Sequence, residues 1–493
     1  MSIFLVIVSG SLIVLPFFLP DLFFISWIAF IPFLYSLYST DFKNAFIKGW
    51  LLGTMIMAGV GYSLYNPLKL STDFNPFVII LIISLIFIVF AFVYGLWIKF
   101  YQFLELNNTF NPFIFSFSWV LLEYFRYIFL GFYPLGFLGY TQTRFIQFIQ
   151  IADLGGVFLV SFAVVLLNSF IFKLIYDKKY YHFITIILLF ALVFGYGTYR
   201  INYFDNSKTN NSSYIKVGII QTNLNQNEKW LSSNIENNID LIIKSIELLG
   251  DSDLIITPES ALTFDFSKDS KYRNDFLAGI KTNQDTYYQV GSLAKRADYQ
   301  GKFNSSFLID PQKEIIARYD KNKLVLFGEK VVFKDLLARY TNSSFSSLNE
   351  GNDVTIFKSP FATWKVLICS EILYPEYSIK KPKEFDFIIN QSNEAWFGNN
   401  PTIKAEMWSA GIFRAIESRT TILRAGNYTH AGLVYPSGEG LNIKDQPQKQ
   451  LEIEIRADNK PTFYQRYSSI FGVILAIILT LLIIFKYLYR QNN

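Results

Sequence analysis

Three residues whose side chains could perform acid, base and nucleophilic chemistry follow predicted strands in the second half of the chain. Glu259 comes after the apolar run 253–257, Lys321 after 314–318, and Cys369 directly after 364–368. Side chains at strand ends can face a cleft while the sheet holds them rigidly. A thiol becomes a nucleophile beside a base and a cation, a carboxylate can carry its proton, and an ammonium can stabilise an oxyanion. Together the three residue types predict acyl transfer through a covalent intermediate.

Each of these residues taken alone has an ordinary structural interpretation. A lone cysteine after an apolar run is most often a small buried hydrophobe. Glu259 could cap a helix after its proline, and Lys321 could be a solvated surface lysine. A cysteine–histidine pair is a further alternative, but it requires His430 to lie beside Cys369 and leaves the other two residues without a role. The sequence leaves these alternatives open.

The composition divides the chain into a membrane part and a water-soluble part. It is 52% hydrophobic and only 17% charged, whereas soluble chains carry about 25% charged residues. Residues 1–200 are nearly free of charge, while 205–465 resemble an ordinary soluble domain. The formal net charge of +5, without a basic stripe, argues against nucleic-acid binding. One cysteine and two histidines exclude an internal disulfide and make a zinc site hard to build, so we expect no metal or other cofactor.

Apolar segments long enough to cross a bilayer predict about eight spans, since each span needs roughly 20 residues. The candidate spans are 2–19, 21–39, 46–66, 77–102, 110–129, 148–175, 181–200 and 469–488. We therefore expect a seven-span bundle in 1–204, a catalytic domain in 205–465, and a last helix with a short tail in 466–493. Within the fifth span, Glu123 and Arg126 share a helix face and are expected to pair.

The distribution of basic residues predicts how the chain is oriented in the membrane. Lysines and arginines are more frequent in one set of loops than in the other, and such loops are normally cytoplasmic. The favoured loops and their flanks hold Lys43, Lys48, Lys99, Lys173, Lys178, Lys179, Lys486 and Arg490. Seven crossings from a cytoplasmic N-terminus then place 205–465 outside the cytoplasm.

Short strand-like runs alternate with helical stretches in the soluble part, which is typical of a layered α/β domain. Helices are predicted over 232–249 and 403–419. The predicted strands are 215–220, 253–257, 287–292, 304–309, 314–318, 364–368, 385–390, 420–424, 431–435 and 451–455.

Motifs spread over nearly the whole chain resemble those of a known family. In the membrane part they are Trp119–Arg126, Gly131–Gln142 and Ala152–Asn168. In the soluble part they are Gln221–Leu224 with Lys229-Trp230, Pro258-Glu259, Asn304-Ser305, Lys321–Glu329, Ile368–Glu371, Ser392–Gly398 and Arg414–Asn427. The soluble set resembles the nitrilase superfamily, whose Glu-Lys-Cys triad is carried by an αββα sandwich. With eight spans added, the chain is similar to its membrane branch, the apolipoprotein N-acyltransferases.

This resemblance implies a role for each candidate residue. Glu259 would be the general base, Lys321 the oxyanion donor and Cys369 the nucleophile. Glu329 and Glu371 would be supporting carboxylates that position the triad. The expected substrate contacts are Trp230, Asn304, Phe327, Ser370 and Trp396.

The resemblance also implies the substrates and the location. The acyl donor would be a phospholipid, phosphatidylethanolamine by analogy, and the acceptor would be the N-terminal diacylglyceryl-cysteine of an apolipoprotein. The protein would lie in the bacterial cytoplasmic (inner) membrane, with its catalytic domain on the periplasmic side. Alternatives are a membrane-tethered amidase or hydrolase, an acyltransferase with a different acceptor, and a degenerate scaffold.

The chain departs from the family pattern at a few positions near the site. Ser370 stands where tyrosine is usual, Leu326 replaces a proline, Thr222 replaces a glycine, and Glu394 replaces an aspartate. None of these removes a member of the expected triad. Ser370 and Leu326 bear on the choice of acceptor or acyl chain rather than on acyl transfer itself.

Overall fold

A computed structural model describes residues 2–38, 44–72, 74–105, 109–129, 134–206, 213–280, 285–325, 329–330, 347–381, 384–398, 400–443, 447–455 and 461–491. They form two compact units. The first consists of Met1–Ser63, Pro76–Asn206 and Thr462–Asn493, and the second of Leu64–Asn75 and Ser207–Pro461.

The described helices and strands follow one another along the chain with helices alone in the first 206 residues. The helices are α1 (Ser2–Phe18), α2 (Ile31–Tyr38), α3 (Ala45–Gly61), α4 (Tyr65–Ser71), α5 (Pro76–Phe90), α6 (Phe92–Leu104), α7 (Pro112–Phe129), α8 (Ile146–Ile149), α9 (Ala152–Asp177), α10 (Tyr180–Asn206), α11 (Gln226–Lys229), α12 (Ile235–Glu247), α13 (Lys271–Gly279), α14 (Pro375–Ile379), α15 (Pro401–Ser418), α16 (Phe463–Tyr467) and α17 (Phe471–Gln491). The strands are β1 (Ser213–Thr222), β2 (Leu254–Ile256), β3 (Leu262–Asp265), β4 (Tyr287–Ala294), β5 (Phe303–Ile309), β6 (Ile315–Asp320), β7 (Ile356–Lys358), β8 (Thr363–Ile368), β9 (Phe387–Asn393), β10 (Thr421–Asn427), β11 (Gly432–Val434), β12 (Gly440–Asn442) and β13 (Gln448–Ile455).

The first unit is a helical membrane region. Six helical segments among the described residues are long and apolar enough to cross a membrane: Pro20–Tyr38, Ala45–Leu70, Pro76–Leu104, Ala152–Asp177, Tyr180–Tyr203 and Phe463–Tyr489. The two other predicted spans are also helical, but α1 is a shorter apolar helix of 17 residues and α7 carries Glu123 and Arg126. The predicted polytopic helical membrane bundle is thus confirmed.

The expected ion pair between Glu123 and Arg126 does not form. One carboxylate oxygen of Glu123 accepts hydrogen bonds from Trp119 Nε1 at 3.0 Å and from the main-chain NH of Leu138 at 2.8 Å. Arg126 donates instead to the carbonyl of Leu135 at 2.7 Å. Both side chains are buried, and each satisfies part of its hydrogen-bonding capacity on the loop that follows α7. The pair prediction was wrong because nearby main-chain groups compete for these side chains.

Nine of the thirteen described strands form one hydrogen-bonded path, in the order β6-β5-β4-β2-β1-β10-β9-β8-β7. The other four lie off this path: β3 pairs with β4, β13 with β1, β11 with β10, and β12 with β11. The path turns at β1. This strand pairs with β2 through Val217–Ile219 and with β10 only through its last two residues, Gln221 and Thr222. From β4 through β2, β1, β10 and β9 to β8, each strand runs parallel to the next, whereas β7 pairs with β8 antiparallel. The carboxyl ends of parallel strands share one edge.

The two halves of this path face each other, and helices cover their outer surfaces. Across the interior, Trp364 Nε1 donates to Gln289 Oε1 at 2.8 Å, and Gln391 Nε2 donates to the Thr257 carbonyl at 2.8 Å. Apolar residues of α12 and α13 pack on the half that contains β4, while α15 buries one side against the other half. The layers are therefore helix, sheet, sheet, helix, and the predicted αββα sandwich is confirmed.

All ten predicted strands exist, and three further strands were not predicted. The missed strands β3, β7 and β12 are three or four residues long, too short to show a periodic pattern. The predicted helices correspond to α12, preceded by a 3₁₀ turn at Ser232–Asn234, and to α15. A side-chain cap at Asn400, which accepts from the main-chain NH groups of Thr402 and Ile403, starts α15 ahead of its predicted boundary.

A close backbone approach fixes the turn between β2 and β3 that contains Glu259. Gly291 in β4 lies so near this turn that an added Cβ would be 2.4 Å from the Pro258 carbonyl oxygen and 2.8 Å from the Ser260 nitrogen. Because both contacts are to main chain, relief requires the turn to move. Glu259 can therefore occupy its position only because residue 291 has no side chain.

Gly291→Ala should destabilise the second unit by about 1–3 kcal/mol, the usual cost of overpacking a closely packed interior. Thermal unfolding of the purified protein in detergent measures this as a lower melting temperature. Gly250→Ala is the matched control, since its Cβ would meet only the Glu247 carbonyl at an ordinary 3.4 Å. Equal melting temperatures for the two variants would contradict the close approach.

Candidate active site

The three residues singled out from the sequence meet in one cavity of the second unit. Glu259 stands three residues beyond the end of β2, Lys321 directly after β6, and Cys369 directly after β8. All three are at least 94% buried. The cavity is lined by Pro67, Glu259, Lys321, Val325, Glu329, Cys369, Asn393, Trp396 and Phe397. The fold therefore collects a carboxylate, an ammonium and a thiol from three separate strand ends.

Lys321 lies between two carboxylates. Its Nζ is 2.8 Å from Glu329 Oε2 and 3.6 Å from Glu259 Oε1. Burial lowers the pKa of Lys321, but the charges of Glu329 and Glu259 outweigh burial, so its pKa is raised. The lysine is thus a permanent cation at neutral pH and acts as a hydrogen-bond donor rather than as a base.

Asn304 also joins the two carboxylates. Its Nδ2 donates to Glu259 Oε1 at 2.7 Å and to Glu329 Oε1 at 2.9 Å. The side chain comes from β5 and is buried. It was predicted as a substrate contact, and the structure places it as a hydrogen-bond bridge between the two glutamates.

Glu259 keeps one oxygen free to take a proton. Its Oε2 is buried and has no hydrogen-bond partner among the described residues. Burial raises the pKa of Glu259, Lys321 lowers it, and Glu329 raises it again, with a raised pKa as the result. A carboxylate with a raised pKa and an unbonded oxygen is suited to general base catalysis near neutral pH.

The Cys369 thiol is uncharged in the resting site. Burial raises its pKa and the Glu259 carboxylate raises it further, while Lys321 and a hydrogen bond from the main-chain NH of Asn393 act in the other direction. Cys369 has a left-handed φ of +52°, and Asn390 Nδ2 donates to its carbonyl at 3.2 Å. A strained backbone at this position is held by its surroundings and presents the side chain at a sharp strand-to-helix turn.

Glu371 lies behind the cavity and ties two strand ends together. It accepts hydrogen bonds from the main-chain NH of Ile368 at 2.7 Å and of Asn322 at 2.7 Å, and from the Tyr319 hydroxyl at 2.8 Å. These donors belong to the ends of β8 and β6, the strands that precede Cys369 and Lys321. Burial raises the pKa of Glu371 to about 7.

The four remaining predicted contacts have different outcomes. Trp396 lines the cavity. Trp230 lies nearby. With the side-chain amide of Gln226 oriented so that its oxygen faces Trp230, the indole Nε1 donates to that oxygen at 2.7 Å. Ser370 is half-buried, and its hydroxyl has no partner among the described residues. Phe327, like Leu326, lies outside the described residues.

Three further residues from the sequence analysis have partners that do not line the cavity. They are Thr222 and Glu394, where the chain departs from the family pattern, and His430, the alternative partner for Cys369. Thr222 Oγ1 donates to Asn427 Oδ1 at 3.0 Å, and Glu394 pairs with Arg424 at 2.9 Å. His430 Nδ1 lies 2.9 Å from Asn442 Nδ2. It is not among the described residues that line the cavity around Cys369.

One part of the site comes from far away in the sequence. Helix α4, between two apolar segments, belongs to the second unit, and its Pro67 lines the cavity. Asn66 Nδ2 donates to the Phe397 carbonyl at 2.8 Å. The next residue, Gly398, has a φ of +62°, and a Cβ there would lie 2.6 Å from Asn66 Nδ2. The only sign of this contact in the sequence is weak: the Asn66-Pro67 pair interrupts an apolar stretch.

The geometry suits nucleophilic acyl chemistry. A neutral thiol, a carboxylate with a free oxygen and a fixed ammonium share one cavity, and these are the group types that can serve as nucleophile, base and oxyanion stabiliser. Among the described residues, no group of three or more histidine, cysteine, aspartate or glutamate side chains could hold a metal ion.

Comparisons with known proteins match both halves of the chain. Residues 9–170 match the family model described as "Apolipoprotein N-acyltransferase N-terminal domain", and residues 216–439 match "Carbon-nitrogen hydrolase". An apolipoprotein N-acyltransferase from Geobacter metallireducens is 28% identical over 94% of this chain and 91% of its own. One from Rickettsia bellii is 25% identical over 70% of this chain and 69% of its own. Among solved structures, Saccharomyces cerevisiae Nit3 aligns with a TM-score of 0.38 and 17% identity over 51% of this chain and 94% of its own.

The two family models occur in sequence order, one in the apolar part and one in the part that forms the sandwich. Relatives that carry the same name align with more than two thirds of the chain. The chain therefore carries an apolipoprotein N-acyltransferase N-terminal domain followed by a carbon-nitrogen hydrolase domain, and it is similar over most of its length to proteins named apolipoprotein N-acyltransferase.

Proposed function

We propose that this protein transfers an acyl chain from a phospholipid to the α-amine of the N-terminal diacylglyceryl-cysteine of bacterial lipoproteins. The observation that carries the proposal is the cavity in which Cys369 lies with Lys321 and the unbonded oxygen of Glu259. The names of the relatives support the lipoprotein acceptor. Phosphatidylethanolamine is the donor that the family resemblance favours.

In the first half of the reaction, Glu259 Oε2 takes the thiol proton as Sγ attacks the ester carbonyl of the phospholipid. The carbonyl oxygen becomes an oxyanion, which the Lys321 ammonium stabilises. Collapse of this tetrahedral intermediate breaks the bond between the acyl carbon and the glycerol oxygen. The leaving alkoxide takes the proton from Glu259 and departs as a lysophospholipid, so that the acyl group remains on Cys369 as a thioester.

In the second half, the lipoprotein amine attacks the thioester carbonyl and Glu259 accepts a proton from the nitrogen. The oxyanion forms again beside Lys321 and collapses to an amide, with Sγ as the leaving group. Glu259 returns the proton to sulfur, which restores the neutral thiol of the resting site. A covalent intermediate divides one difficult transfer into two easier steps and lets two bulky lipids use the site in turn.

Four further residues support these steps. Asn304 would hold the side chain of Glu259 in place, and Glu329 that of Lys321. Glu371 would fix the strand ends that carry Lys321 and Cys369. Trp396 would contact substrate at the cavity wall. Trp230, Phe327 and Ser370 remain proposed substrate contacts by family resemblance.

The same proposal includes a location. The protein would be embedded in the bacterial cytoplasmic (inner) membrane, with the bundle formed by 1–204 and the final helix in 466–493. The catalytic domain, 205–465, would lie on the periplasmic face, where both lipid substrates reside. The excess of lysines in the alternate loops supports this orientation.

Incubation with phosphatidylethanolamine should add the mass of one fatty acyl group to the protein, and Cys369→Ala should abolish the addition. The reason is that Cys369 is the only cysteine in the chain. Intact-protein mass spectrometry measures both. Addition of a diacylglyceryl-lipopeptide should discharge the adduct and acylate the peptide. Discharge by water alone would favour a hydrolase, and a wild-type protein that never gains the acyl mass would refute the covalent mechanism.

Glu329→Gln should slow acyl-enzyme formation at neutral pH by roughly tenfold, since a preorganised ion pair is lost from the site. The same change should move the acid limb of the pH–rate profile to lower pH. Glu329 raises the pKa of Glu259, so removal of its charge lets Glu259 ionise at lower pH. Stopped-time mass measurements across a pH series test this.

Glu350→Gln is the matched control for that experiment. Glu350 pairs with Lys330 at 3.0 Å, and both side chains are exposed, so the rate and its pH profile should stay as in the wild type. An acid limb that moves to higher pH in Glu329→Gln would contradict the charge assignment.

The orientation can be tested with single cysteines introduced into the Cys369→Ala protein. Asp298→Cys and Lys179→Cys both place a thiol at an exposed position. In bacterial spheroplasts, a membrane-impermeant maleimide should label the first variant without lysis and the second only after lysis. The reverse pattern, or equal labelling of both in intact spheroplasts, would overturn the proposed topology.

A further inference from the structure

A second lysine is buried beside the candidate active site. Lys229 ends α11 and is 1% exposed. Its Nζ donates to the main-chain carbonyl of Glu259 at 3.1 Å, and it lies 5.7 Å from the centre of the Trp230 ring. Its own carbonyl accepts from Asn238 Nδ2 at 3.0 Å, which anchors the segment to α12. A buried ammonium is costly unless neighbouring charges or dipoles compensate for lost water.

Charge balance gives Lys229 a role. Glu259 is a buried carboxylate and Glu329 a partly buried one, and Lys321 neutralises only one of them. With Lys229 protonated, the two ammonium groups match the two carboxylates and the site is neutral while the thiol is uncharged. Without it, the site would carry a net negative charge before any thiolate forms, and such a charge opposes ionisation of Cys369.

We propose that Lys229 is a positioning residue that holds the main chain of Glu259 and supplies the second positive charge facing Glu259 and Cys369. The charged groups that act on Lys229 are these two, and Lys321 and Glu329 act on them in turn. Burial lowers the pKa of Lys229 to about 8, while Glu259 and Cys369 raise it. The lysine therefore remains mostly protonated at neutral pH and loses its charge in the mildly alkaline range.

The inference concerns the reactivity of the thiol, so it can be tested without a lipid. The rate at which iodoacetamide alkylates Cys369 in the full-length protein reports the availability of the thiolate. Lys229→Met should slow alkylation by about tenfold at pH 7, because a nearby positive charge is lost. Above pH about 8, where the wild-type lysine itself becomes neutral, the two rates should converge. Lys229→Arg keeps its charge at every pH, so it should outpace the wild type above that pH.

Lys365→Met is the matched control for loss of a buried lysine. Lys365 is fully buried and donates only to main-chain carbonyls among the hydrogen bonds described, those of Ser378 at 2.6 Å and Lys380 at 3.0 Å. Its replacement should affect thermal stability without changing the pH dependence of alkylation. A constant rate ratio between wild type and Lys229→Met from pH 6 to 10 would overturn the proposal, as would the same pH dependence in Lys365→Met.

The role of Lys229 in acyl transfer rests on the proposed function, and the two can fail separately. If lipid never acylates Cys369 but the alkylation rates converge above pH about 8, the proposed function fails and the charge role of Lys229 stands. If the lipid adduct forms and Lys229→Met alkylates like the wild type at every pH, only the role of Lys229 fails. A folded Lys229→Arg protein with wild-type alkylation above that pH would also count against it.

Discussion

The pairing of the buried Lys321 ammonium with the buried Glu259 and the partly buried Glu329 is the interaction on which the rest of the second unit depends. Charges that leave water must be compensated by partners in good geometry, because an unpaired buried charge costs several kcal/mol. The partners here come from different strands or loops, with Glu259 after β2, Lys321 after β6, and Glu329 beyond it. The sandwich must therefore bring these ends together within hydrogen-bond distance. Asn304, donating to both carboxylates, fixes the distance between them.

Several features of the fold follow from this requirement. The path of strands turns at β1, so that β2 and β9 lie across the interior from each other, and Gln391 reaches from β9 to the carbonyl of Thr257 beside β2. Gly291 lets the Glu259 turn pack directly on β4. Glu371 joins the ends of β6 and β8, so Lys321 and Cys369 cannot move independently. The left-handed backbone of Cys369 is tolerated because this network holds it.

The sequence was informative where a local pattern decides the structure. The long apolar segments and the strands of five or more residues were predicted because their periodicity survives in any environment. Glu259, Lys321 and Cys369 were selected because functional groups often follow the ends of strands, and in the structure all three line one cavity. Short strands such as β3 and β7 exist only because neighbouring strands pair with them, which a local pattern does not encode.

The parts that the sequence did not predict depend on distant contacts. Pro67 lines the cavity and Asn66 donates to the Phe397 carbonyl, although both belong to a segment about 330 residues before Phe397, and only the three-dimensional fold joins them. Glu123 and Arg126 were expected to pair from their spacing, but a loop that follows their helix offers each a main-chain partner. The bridging role of Asn304 also depends on distant contacts. Nothing in its sequence neighbourhood indicates that its amide donates to two glutamates.

The electrostatics of the site favour a thiol that stays protonated until a substrate arrives. Burial and the Glu259 carboxylate raise the pKa of Cys369, and the same burial raises that of Glu259. A free thiolate would add a further negative charge to a cavity that already holds the carboxylates of Glu259 and Glu329. An oxyanion that forms next to Lys321 changes this balance, because it brings the negative charge to the permanent cation. Nucleophilic attack and proton transfer to Glu259 are therefore coupled in both halves of the proposed reaction, and one carboxylate suffices for both because its proton returns to a leaving group each time.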